Sequence, residues 1–168
     1  MRLIRPSHST VHWFVLLVVS ISALALSGPA ASSTPEDVDP PLAWRPFELG
    51  SYSRPVSTRV AEAQKAFDQG LVWAFAFNHD EAQRAFSEAA RLDPALAMAW
   101  WGVALVNGPH INNPAMSEVQ SRTAWEALTK ARALAGRATD VEKALIEALG
   151  ARYSWPPPAD RAPLDAAY

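Results

Sequence analysis

The sequence predicts an all-α protein made of antiparallel helix hairpins, and three observations carry that expectation. Residues 56–93 hold no proline, although the chain has 14, and they are rich in Ala, Glu, Gln, Arg and Leu, all good helix formers. Small and large apolar residues recur there at steps of three and four, the period of one helix face. At Asn78/Glu81, Ser117/Gln120 and Thr139/Glu142 a capping residue precedes Glu or Gln by three positions, the spacing that closes the start of a helix. A hydrophobic content of 49% excludes global disorder. The absence of cysteine excludes disulfides, thiolate metal sites and a cysteine nucleophile.

The first 31 residues read as a secretory signal peptide. Arg2 and Arg5 are the only charges before Glu36, and residues 13–26 form an apolar run that ends in Ser27, Gly28, Pro29 and small residues. A basic start, a short apolar centre and a small-residue exit are its three parts. The run is shorter than the roughly 20 residues of a membrane span, and Gly28-Pro29 breaks it. Removal of this leader takes the net charge from −2 to −4, since two of the 15 basic residues and none of the 17 acidic ones are lost. Such a balance implies no basic patch for nucleic acid, and no membrane contact after signal removal.

Residues 32–57 form a Pro-rich linker, with Pro35, Pro40, Pro41, Pro46 and Pro55 beside acidic Glu36, Asp37 and Asp39. Proline at this density forbids helix. Trp44, Phe47 and Leu49 in its second half are candidates to dock on the folded part.

Helical hairpins are expected over residues 58–153. Ser57 or Thr58 is placed to cap the first helix, whose inner face is Ala63, Ala66, Phe67, Gly70, Ala74 and Phe77. The pattern breaks at Phe77-Asn78, and a second helix runs from His79 to about Leu92 with Ala82, Phe86 and Ala89 inward and an Asp80–Arg84 pair outside. Asp93-Pro94 stops it, and so short a turn makes the two helices antiparallel. A third helix starts at Ala97 and is interrupted by Gly108, Pro109 and Pro114. Helix returns at Ser117 with Ala124, Leu128 and Ala131 inward, and Thr139 opens a last hairpin with Ala144, Leu145, Ala148 and Leu149 as its stripe. Residues 154–168 are a Pro-rich loop and the first turn of a truncated helix at Pro163.

Counted from Ala63, the first hairpin resembles the tetratricopeptide repeat, a 34-residue helix pair. Gly70, Trp73, Ala82, Phe86, Ala89 and Pro94 stand where that motif wants small, large, small, large, small and Pro. Small residues let the helices approach and large ones fill the gap beside them. Two positions depart, Ala66 for the usual Trp and Gln69 for the usual Leu. A second count from Ala97 places Trp100, Val103 and Ala104 in register. The segments at 77–82, 98–105 and 108–114 look like exported bacterial tetratricopeptide-repeat proteins with irregular repeats. The resemblance covers roughly Leu49 to the C-terminus. It implies a solenoid that binds protein or peptide outside the cytoplasm, periplasmic or secreted, without catalysis or cofactor, and it implies that this chain is the N-terminal piece of a longer protein.

Residues that could carry chemistry are few. His79 and His110 are the two histidines past the leader. Each is explained as a turn residue, or both join Glu81 as a two-His-one-carboxylate metal site, which is the alternative reading: a metal-dependent or small-ligand-binding helical enzyme domain. Asp80 and Glu81 are accounted for by the dipole of a helix start. Trp100 fills a repeat position and is expected in the core. Trp101 lies about 100° around the helix, and either packs on the next hairpin or lines a peptide groove. The candidate groove residues are Trp73, His79, Trp101, Asn107 and His110.

Overall fold

A computed structural model describes residues 47–168; the leader at 1–31, the linker up to residue 46 and Trp44 lie outside the described residues. The described chain is all-α. Six helices follow one another: α1 Ala61–Phe75, α2 His79–Leu92, α3 Ala97–Val106, α4 Glu118–Leu134, α5 Asp140–Ala151 and α6 Ala162–Ala167, with a short 3-10 turn at Ala135–Arg137 before α5. None of the helices among the described residues is long and apolar enough to cross a membrane.

The hairpins α1/α2 and α3/α4 pack face to face, α3 also packs on α1, α2 and α5, and α4 packs on α5. The centre of the first hairpin is the Phe86 ring of α2, fully buried and tilted against Phe67 of α1 at 5.4 Å. Gly70 of α1 and Gly102 of α3 lie on either side of it. A methyl group on either glycine would run into the ring, at 2.5 Å in the case of Gly70. Both residues are glycine because the ring occupies the space of a side chain. Ala82, Ala89, Ala124, Leu128 and Ala131 are fully buried as expected of the small–large–small faces. Helix α3 is buried around most of its circumference, which explains why its sequence has no charged residue at all.

Capping is where the local sequence decides most. Ser117 and Thr139 form complete capping boxes with Gln120 and Glu142. Asn78 caps α2 through its side chain, which accepts the Glu81 amide at 3.3 Å. The carboxylate of Glu81 does not close the box; it pairs with Arg84 at 3.0 Å, so the expected Asp80–Arg84 pair gives way to Glu81–Arg84. At α1 the expectation fails. Its N-cap is Val60, with no side-chain cap: the Thr58 hydroxyl accepts the Val60 amide one residue before the helix and donates to Asp93, and the Ser57 hydroxyl donates to Glu142.

Residues 47–58 run extended along α1 in the opposite direction. The Phe47 carbonyl accepts Gln69 Nε2 at 2.6 Å, Ser53 and the Arg54 amide donate to Asp68, and the Val56 amide donates to Gln64. Phe47 packs edge-on against Trp73 with ring centres 5.5 Å apart. The departure of Gln69 from the repeat pattern is thereby explained. Where a preceding helix would want a Leu, an extended segment offers the Phe47 carbonyl, and an amide side chain meets it.

The stripe of α5 is also rotated from expectation. Ile146 and Leu149 are buried with Glu142, whereas Ala144 and Ala148 are exposed. Small residues mark where a helix tolerates close approach; the larger Ile146 gains more from burial against α3 and α4.

Candidate functional site

The turn between α1 and α2 is built from three residues. The Phe77 amide donates to the Ala74 carbonyl at 3.1 Å and the Asn78 amide to the Trp73 carbonyl at 3.0 Å. That pair of bonds is the Schellman closure of a helix, whose residue in the left-handed region is usually Gly. Here it is Phe77, at φ 61°. A bulky side chain in that region costs about 1–3 kcal/mol, and the ring is not repaid by burial, since Phe77 is 54% exposed. The expectation that Phe77 belongs to the inner face of α1 is thus corrected: α1 ends two residues earlier.

The loop between α3 and α4 comes to the same place. Its start is anchored by Asn107, which donates to Gln83 of α2 at 2.8 Å and to the Val103 carbonyl at 2.9 Å. Arg152, following α5, donates to the Pro109 carbonyl at 2.7 Å, and the Tyr153 hydroxyl donates to Ala104 at 2.8 Å; burial pushes that phenol well above its ordinary pKa. His110 and Asn113 then exchange backbone hydrogen bonds at 3.0 and 2.9 Å, which places Ile111 and Asn112 at the tip.

These two turns bring His79 and His110 into contact. Their ring centres are 4.3 Å apart and the rings perpendicular. Phe77 lies 6.2 Å from His79 and 6.3 Å from His110. Burial lowers the pKa of His79, as does the neighbouring His110, while Asp80 opposes them, so His79 favours its neutral form. His110 Nδ1 is enclosed and has no hydrogen-bond partner, a cost of about 1–3 kcal/mol for a buried polar group. Flanking the pair in the chain, Phe77 and Ile111 are exposed, Ile111 at 87%, beside the exposed polar side chains of Asn78, Asp80 and Asn112.

The remaining candidates are placed as follows. Trp101 is 9% exposed, and its indole N–H donates to the Leu145 carbonyl of α5 at 3.1 Å. It packs on the next hairpin. Trp100, expected in the core, is half-buried with Lys130 Nζ 4.0 Å above its ring. The two exchange roles because α5 approaches the Trp101 side of α3. Asn107 is buried and holds the loop. Trp73 is half-buried under Phe47. Glu81 does not join the histidines: among the described residues no group of three His, Asp or Glu side chains is arranged to hold a metal, which removes the carboxylate of the alternative reading.

No family model, curated protein or solved structure matches this chain. Its function is therefore read from the site. Phe77 and Ile111 are exposed beside the histidines in the chain and were not among the groove candidates. The signal for Phe77 was present in the chain: a helix ends before Asn78 with no Gly where its closure calls for one.

Proposed function

We propose that this chain is a non-catalytic scaffold of tetratricopeptide-repeat type that binds a protein partner or an extended peptide outside the cytoplasm. Three lines support the reading. Six of the eight signature positions of the first hairpin match the repeat. Successive hairpins stack with α1 on α3 and α3 on α5, as in helical solenoids, whose extended surfaces serve for binding. The basic start, apolar run and small-residue exit of residues 1–31 support export.

The observation that carries the binding reading is Phe77. A phenylalanine held at positive φ and exposed costs stability without contributing to the core, and strain of this kind clusters at functional sites. Ile111, next to His110 in the chain, is exposed as well, and the two imidazoles beside Phe77 supply hydrogen-bonding groups. Such a surface fits a peptide segment with an aromatic or aliphatic anchor.

Selection of a random-peptide library on the immobilised chain tests this. The wild type enriches peptides with apolar anchors, and a Phe77→Ser/Ile111→Ser double variant binds the same peptides at least tenfold more weakly. Equal affinity of the two proteins, or no enrichment by the wild type, overturns the reading.

A further inference from the structure

We propose that His79 and His110 form a two-imidazole site for a late first-row divalent cation of the copper(II) or zinc(II) class. The inference goes beyond peptide binding and stands or falls separately from it. Two imidazoles bound side by side to one ion at a metal–nitrogen distance of roughly 2.0–2.1 Å hold their ring centres about 4.5–5 Å apart. The centres here are 4.3 Å apart, a few tenths of an ångström short of that range. Imidazole is the side chain that suits these ions.

The pair is assembled by tertiary structure. His79 is set by the closure of α1 and the Asn78 cap of α2. His110 is set by the His110–Asn113 bridge and by Arg152 on the Pro109 carbonyl. Little ordering is left for the ion to impose. The unpaired Nδ1 of His110 leaves that imidazole without the hydrogen bond a structural histidine makes. Asp80, next in the first turn of α2, favours positive charge at His79 and offsets the positive end of the helix. With two protein ligands, water or a partner's donor completes the coordination sphere.

Titration of the full chain with copper(II) and with zinc(II), followed by calorimetry and by copper electron paramagnetic resonance, tests the proposal. One ion binds per chain, copper more tightly than zinc, and the copper spectrum shows two nitrogen ligands. His79→Ala and His110→Gln each weaken binding at least tenfold. The unchanged helical circular dichroism of His110→Gln separates ligand loss from misfolding. If the double variant binds copper as tightly as the wild type, the ion sits elsewhere, His8 and His12 being the other imidazoles, and the proposal fails. It fails equally if the wild type binds neither ion at millimolar concentration.

Discussion

The two hairpins reverse direction in different ways. Between α1 and α2 the chain turns in three residues, closed by backbone hydrogen bonds and the Asn78 cap. Between α3 and α4 it takes an eleven-residue loop, residues 107–117, that makes few bonds to itself and is pinned from outside by Gln83 and Arg152. The first turn is dictated locally and stores strain at Phe77. The second is dictated by its neighbours. The histidine pair exists only where the two meet, so neither turn alone contains the site.

Substitutions can break this contrast. The largest effect is expected at the shared centre of the hairpins: Phe86→Ala removes the ring between Gly70 and Gly102 and costs about 3–5 kcal/mol, read as a loss of denaturant midpoint. Glu142→Gln comes next. The Glu142 carboxylate accepts the Ser57 amide at 2.8 Å and the Thr139 amide at 2.6 Å. Burial raises its pKa, yet the Ser57 and Thr139 hydrogen bonds outweigh burial, and the net shift is downward from 4.5. A folded pKa below the unfolded one adds stability that is complete above the ordinary carboxyl range and is lost as pH falls through it. Glu142→Gln therefore costs about 1–3 kcal/mol at pH 7, and the gap to the wild type narrows below about pH 4.5. A gap that is constant from pH 7 to pH 3 would show that the charge plays no part.

Smaller effects sharpen the comparison. Trp101→Phe loses the bond to Leu145 and costs about 1 kcal/mol or more. Trp100→Phe, at a half-buried ring under Lys130, costs less in the same melting experiment; the reverse order would return Trp100 to the core. Phe77→Gly relieves the left-handed strain and raises stability by about 1 kcal/mol while weakening peptide binding. A destabilised Phe77→Gly would mean that the exposed ring supports the fold.

The parts of the fold that were legible in the sequence are those that local chemistry decides. The start of α2 at His79 follows from Asn78, its end at Leu92 from Asp93-Pro94, and two capping boxes from Ser117/Gln120 and Thr139/Glu142. The buried Ala82, Phe86 and Ala89 follow from spacing. Ser57 and Thr58 misled because their partners, Glu142 and Asp93, lie 85 and 35 residues away. Trp100 and Trp101 misled because register says only that the two point to different faces. Which face meets α5 is a matter of packing.

Sequence alone determined helix class, both ends of α2, the capped starts of α4 and α5 and the small–large–small faces of α2 and α4, because caps, proline and a 3.6-residue period act within a few residues of the chain. Tertiary structure alone decided which tryptophan is buried, what replaces a preceding helix on α1, and that His79 and His110 touch. Those outcomes depend on contacts between residues tens of positions apart, and only the packed helices bring such residues together.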